Sequence, residues 1–179
     1  MAIDLRRRWI WAAAFIVTLT GSHTQAGEGG GWQPRLLHFR HAGVRSAVER
    51  TVLGAARRLQ DPECRRVLED FTDAKGVTLA ARLEERRLTL ARFLADLRFV
   101  DAPESARCGK RRSAAFTEPG SLVIFVCGDQ FSDRAFSLQG AAGEVVIIHE
   151  VLHALGLPEN GPYPTSAEIS AQVRKRCVI

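Results

Sequence analysis

His149, Glu150 and His153 interrupt the apolar stretch Ala141 to Leu155, which reads Ala-Ala-Gly-Glu-Val-Val-Ile-Ile-His-Glu-Val-Leu-His-Ala-Leu before Gly156. Apart from Glu144 and these three residues, the stretch is apolar all round a helix, the composition of a helix inside a core. A polar group buried without a partner costs on the order of 1 to 3 kcal/mol, so three together need a shared purpose. The spacing supplies one. Residues four apart project from one helix face on successive turns, so the imidazoles of His149 and His153 can converge on a single metal ion, and zinc suits that donor pair. Glu150 lies about 100° round the helix from His149, too far to be an equivalent ligand but placed to reach a water on the metal. Zinc lowers the pKa of a bound water from about 15.7 to about 7. Glu150 is then the candidate general base, taking a proton as that water attacks a carbonyl and passing it to the leaving amine.

Such a helix needs a scaffold, and the rest of the chain reads as one. An amphipathic helix is expected from His41 to Leu59, with Val44, Val48, Val52, Ala55 and Leu59 on one face. Asp61 is placed as an N-cap with Pro62 at the first helical position, followed by a second apolar face of Cys64, Val67, Leu68 and Phe71. After a turn at Asp73 to Gly76, a third, longer helix is expected from about Thr78, burying Leu79, Leu83, Leu90, Phe93, Leu94 and Leu97. The middle then changes character. Leu97 to Val100, Ser113 to Thr117 and Leu122 to Cys127 are short β-prone runs, with Glu118-Pro119-Gly120 as a turn between the last two. The expected fold class is α+β: N-terminal helices, a small sheet, the buried helix at 141–155 and a C-terminal helix.

The run His149 to Asn160, HEVLHALGLPEN, resembles the active-site helix and following turn of zincin metallopeptidases. Gly156, three residues after His153, is similar to the metzincin pattern, in which the chain turns at Gly so that a residue three further on becomes the third ligand. That position is Glu159, where metzincins carry His or Asp; their Met-containing turn has no counterpart, since Met1 is the only methionine. The alternative third ligand is Glu168, which resembles the gluzincin plan of a Glu on a second helix. Thr165 and Glu168 also fit the S/T-x-x-E capping box that opens a helix. The run Ile124 to Phe131 has a looser similarity to the strand and Cys-containing segment of aspzincins. The resemblance implies one zinc ion per chain, a peptide or protein substrate, a possible substrate-pairing role for Leu122 to Cys127 against its reading as a core strand, and an oxyanion-supporting role for Tyr163 against simple packing. His38 and His41 are expected at the surface.

Composition bounds the alternatives. Arg6 to Arg8, the apolar run Trp9 to Leu19 and the small polar residues ending at Ala26 read as a secretory signal peptide, the export route staying open. The apolar run is shorter than the roughly 20 residues of a membrane span, so no stable membrane insertion is expected after cleavage. Residues 27–40 are expected as a flexible mature N-terminus and residues 41–179 as one catalytic domain, secreted or periplasmic. Without residues 1–26 the chain carries 22 basic and 19 acidic residues, interleaved on helices as in Arg82 to Arg87, a solvated-face pattern rather than a nucleic-acid stripe. No nucleic-acid partner is expected. Four cysteines in an exported chain favour disulfides; no two are close enough to form the pairs of a structural zinc site. Three pairings are possible, and the expected one joins Cys108 to Cys127 across a hairpin and Cys64 to Cys177. The reading from these residues is a zinc-dependent peptidase; the alternative is a secreted binding or structural domain with a non-catalytic zinc site.

Overall fold

The computed structural model describes residues 32–109, 113–136 and 141–177. The signal-peptide reading for residues 1–26 lies outside them. Pro62 and Asp61 illustrate how local chemistry sets the helical half. The first long helix, α1, spans Ala42–Gln60 and buries Ala47, Val48, Thr51, Val52, Ala55, Ala56 and Leu59, the three- and four-residue spacing of one face. It stops at Asp61, whose carboxylate accepts from the Glu63 and Cys64 N–H groups and starts α2, Pro62–Arg65, with proline at the first turn. A short α3, Val67–Asp70, follows.

The single long helix expected from Thr78 is two helices, α4 at Leu79–Glu85 and α5 at Leu90–Asp96, each capped by a threonine side chain, Thr78 or Thr89. Arg87 adopts φ 53°, and the Arg87 and Leu88 N–H groups return to the Glu84 and Leu83 carbonyls. This is the paired closure of a Schellman end. Hydrophobic periodicity carried across the break because Leu83, Phe93 and Leu94 all reach the same core.

The sheet has four strands in the order β1 (Arg35–Leu37), β2 (Arg98–Asp101), β4 (Val123–Val126), β3 (Ala115–Phe116). β1, β2 and β4 run parallel, and β3 pairs antiparallel with β4 in the register Ala115 to Val126 and Phe116 to Phe125. Residues 35–37, expected within a flexible N-terminus, form an edge strand. Leu122 to Cys127 holds an interior strand with neighbours on both sides, in line with its core-strand reading and not with substrate pairing; its backbone groups are already used, and the free edge of the sheet at this end is β3. The turn between them has Pro119 followed by Gly120 at φ 82°, closed by the Ser121 N–H on the Glu118 carbonyl, the positive-φ position that favours glycine in a type II turn.

After β4 comes α6, Gly128–Phe136. The helix α7, Ala141–Leu155, then runs through the core beside α1, β3 and β4, with Val145, Ile147, Ile148, Val151, Leu152, Ala154 and Leu155 buried. Its β-branched residues are poor helix formers in isolation, and burial of each such side chain contributes about 1.5 to 3 kcal/mol in the other direction. Gly54 on α1 leaves the space into which Glu144 reaches to pair with Arg58. The last helix, α8, spans Ser166–Cys177 and buries Ile169, Val173 and Cys177. Both disulfides join the expected partners: Cys64–Cys177 ties α2 to the end of α8, and Cys108–Cys127 is formed. The second encloses the β3–β4 hairpin, with Cys108 in the loop that leads from β2 to β3 and Cys127 directly after β4. Among the described residues no helix is long and apolar enough to cross a membrane.

Candidate metal centre

The end of α7 determines where one imidazole points. Gly156 adopts φ 121°, and the Gly156 and Leu157 N–H groups donate back to the His153 and Leu152 carbonyls at 2.8 and 3.1 Å, again a Schellman closure. That reversal brings the Leu157 carbonyl to 2.7 Å from His153 Nδ1. A carbonyl only accepts, so Nδ1 carries the proton, and a neutral ring leaves Nε2 as a lone pair aimed away from the backbone. His149 is oriented from the other side, its Nδ1 lying 3.0 Å from the hydroxyl of Ser170 on α8. The two Nε2 atoms converge to 3.0 Å, close to the about 3.3 Å expected for two nitrogens on one tetrahedral zinc at about 2.05 Å.

Glu159 completes the group. Its Oε2 lies 3.2 Å from His153 Nε2, and the ligand atoms of His149, His153 and Glu159 all fall within 4.8 Å of one another. His153 Nδ1 is turned to the Leu157 carbonyl, so Nε2 and the Glu159 oxygen face each other at a separation that a shared proton or a cation would bridge. Both imidazoles are buried, 5% and 4% exposed. Burial, with the neighbouring His153 adding to it, pushes His149 down to about 3, which keeps the ring neutral and able to ligate over the whole physiological range.

Glu168 is elsewhere. Its Oε2 accepts from the Thr165 N–H at 2.7 Å and from the Thr165 hydroxyl at 2.8 Å, the capping box at the start of α8, and Glu168 faces a separate hollow with Phe71 and Tyr163. The structure therefore brings Glu159, not Glu168, to the histidines, and Tyr163 does not line their cleft. His38 and His41 are exposed, the latter at the N-cap position of α1 without a side-chain cap bond.

Glu150 is 6% exposed, and its Oε2 has no hydrogen-bond partner among the described residues. Burial first, then the charge of Glu159, pushes its carboxyl up to about 8, against the Thr117 backbone hydrogen bond and the positive charge of Arg107. An orphaned carboxylate oxygen beside two converging imidazoles is the arrangement expected if a cation and a polar reactant complete the site. Around it a cleft of about 730 Å³ is lined by His149, Glu150, His153 and Glu159, by β3 with Thr117, and by Arg107. Arg107 stacks over Phe116, 5.0 Å from its ring centroid, and pairs with Glu118 at 2.8 Å.

Sequence reasoning did not identify Ser170, the Leu157 carbonyl, the Thr117 backbone or Arg107. Arg107 alone left a trace, as the neighbour of a cysteine whose partner follows β4. Two imidazoles, each held through its other nitrogen, and one carboxylate form a donor set that could hold a metal ion, and zinc is among the metals that such ligands suit. No protein-family model, curated protein or solved structure matches this chain.

Proposed function

We propose that this chain is a zinc-dependent hydrolase of the zincin type that cuts peptide bonds, with His149, His153 and Glu159 as the metal ligands and Glu150 as general base. The observation that carries the reading is the convergence of both Nε2 atoms and the Glu159 carboxylate beside a buried carboxylate with a free oxygen, all facing one cleft. Zinc bound there supplies a Lewis acid that acidifies water and polarises a carbonyl. Three protein ligands leave a position open for chemistry, whereas structural sites are closed by a fourth, commonly cysteine, and all four cysteines here are in disulfides.

The chain's own groups then do the proton work. Positive charge at the triad opposes the two causes that raise Glu150 and brings it toward the carboxylate form a base requires. Glu150 takes one proton from the attacking water as the water oxygen bonds to the carbonyl carbon. It returns that proton to the amide nitrogen as the C–N bond breaks, releasing an acid and an amine. The free edge of β3 and the Arg107 side chain lie along the cleft. The two disulfides support placement in an oxidising, extracytoplasmic compartment.

Elemental analysis after incubation with zinc tests the site. One zinc per chain is expected in the wild type and in Glu168→Ala, and loss of it in Glu159→Ala. Glu150→Gln is expected to keep its zinc and to lose about 100- to 10,000-fold in peptide hydrolysis. A wild type that takes up no zinc overturns the metal reading. Zinc uptake with undiminished hydrolysis in Glu150→Gln overturns the role of the base.

A further inference from the structure

The cleft continues past His149. A second lobe of about 520 Å³ shares Ser113, Ala115, His149, Glu150 and Ser166 with the first, but neither His153 nor Glu159 lines it. Its walls come from the stretch Ser113 to Ala115 and from two helices. α7 contributes Val145 and Val146, and α8 contributes Ser166, Ser170 and Arg174. The last three are spaced by four, so they form one stripe of α8 directed along the lobe.

Arg174 is the unusual member of that stripe. The other cleft arginine, Arg107, is paired with Glu118, and Arg176 two residues on is paired with Asp70. Arg174 is exposed, and no carboxylate among the described residues lies within ion-pair distance of it. Glu150, the acid in the same lobe, is buried. One turn of α8 separates Arg174 from Ser170, the residue that touches His149, which is about 6 Å along the axis. An extended peptide covers that distance in about two residues.

We infer that this second lobe seats a substrate residue carrying a carboxylate, with Arg174 as its partner and Val145 and Val146 against its apolar part. The carboxylate has two sources that share this chemistry: an acidic side chain within about two residues of the bond to be cut, or the C-terminal carboxylate of a short peptide. Naming the occupant a peptide rests on the hydrolase reading, whereas the carboxylate preference rests on Arg174 and the lobe. The two can fail separately.

The test is binding, followed by fluorescence anisotropy, of four N-terminally labelled tripeptides to the Glu150→Gln protein in zinc-containing buffer. The peptides differ in a central Asp or Asn and in a free or amidated C-terminus. At least one carboxylate-bearing peptide is expected to bind about tenfold more tightly than the doubly neutral one, and which arm shows the gain identifies the source. The gain should shrink in Arg174→Gln and disappear in Arg174→Glu. Equal binding of all four peptides, no binding of any, or a preference that survives Arg174→Glu overturns the proposal. Hydrolysis of the neutral peptide by wild-type protein in that case would leave the hydrolase reading standing. A carboxylate preference in a protein without hydrolysis would instead leave the lobe and remove the enzyme.

Discussion

Replacing Ser170 by alanine separates the metal centre from the stability of the helix that supports it. The Ser170 hydroxyl is 3.0 Å from His149 Nδ1; when Nε2 binds a metal, Nδ1 must carry the proton, and Ser170 is its acceptor. An unsatisfied buried donor costs about 1 to 3 kcal/mol. Ser170 itself is half-buried, so water partly replaces it and the lower part of that range applies, about 1 to 2 kcal/mol. Zinc affinity is then expected to fall about 5- to 30-fold, overlapping the about 10- to 100-fold seen when ligand-orienting partners are removed. Without metal the loss is smaller. Nε2 can carry the proton, the Ser170 hydroxyl then donates to Nδ1, and the loss of that bond is partly offset because alanine is the better helix former by up to about 0.5 kcal/mol. The melting temperature should therefore fall less in the metal-free protein than in the zinc-loaded one. Competition with a chromophoric chelator gives the affinity, and paired thermal melts with and without zinc give the two magnitudes. Ser170→Thr, which keeps the hydroxyl, should recover most of the loss. Zinc affinity within twofold of wild type in Ser170→Ala would refute the claim that this hydroxyl orients His149.

Gly156→Ala should weaken zinc binding by a different route. At φ 121° the added Cβ meets Asp73 at an ordinary 3.5 Å, so the cost is backbone strain, about 1 to 3 kcal/mol, relieved by moving the Leu157 carbonyl from His153; chelator competition and a thermal melt measure both effects. Replacing Cys64 and Cys177 together with serine opens a link spanning 113 residues and should cost about 2 to 5 kcal/mol of unfolding free energy, read by urea titration against the disulfide-bonded wild type under non-reducing conditions. The hydrogen bond from Arg176 holds the Asp70 carboxyl below its ordinary value; burial opposes this, and Gln172 reinforces it. A lowered carboxylate contributes stability above its unfolded value of 3.8 that is lost as pH falls through the lower folded value. The stability gap between wild type and Asp70→Asn should therefore be full near neutral pH and close below pH 3.8, as followed by urea titrations across that range.

Elements governed by nearest neighbours were legible in the sequence. Asp61-Pro62, the Val and Ala face of α1, the Pro119-Gly120 turn and the apolar wrap of α7 each carry their own signal, and the α+β class follows from them. Where the reading fell short, long-range geometry decided. Arg35 to Leu37 has no strand pattern of its own and becomes β1 because β2 offers an open parallel edge. The break at Arg87 is invisible to periodicity, since apolar residues continue on both sides of a left-handed residue that is not glycine. At the candidate metal centre, the His149-Glu150-His153 spacing places the histidine pair on one face of the helix but is silent on the third group. Glu159 and Glu168 are equivalent as letters; the capping bond to Thr165 and the reversal at Gly156 separate them in space. Ser170 and Arg174 carry no motif, because they matter only once α8 lies against α7.

The link between Cys64 and Cys177 also bears on how this protein survives damage. All the residues that line the cleft lie between these two cysteines in the chain. A single cut in the exposed stretch around Glu104 to Arg107 would leave two fragments covalently joined, the N-terminal one holding α1 and the C-terminal one holding α7 and α8. On a non-reducing gel the nicked chain would keep its mass, and it would separate into two bands only after reduction. A protein that meets proteases can be clipped there without its halves drifting apart.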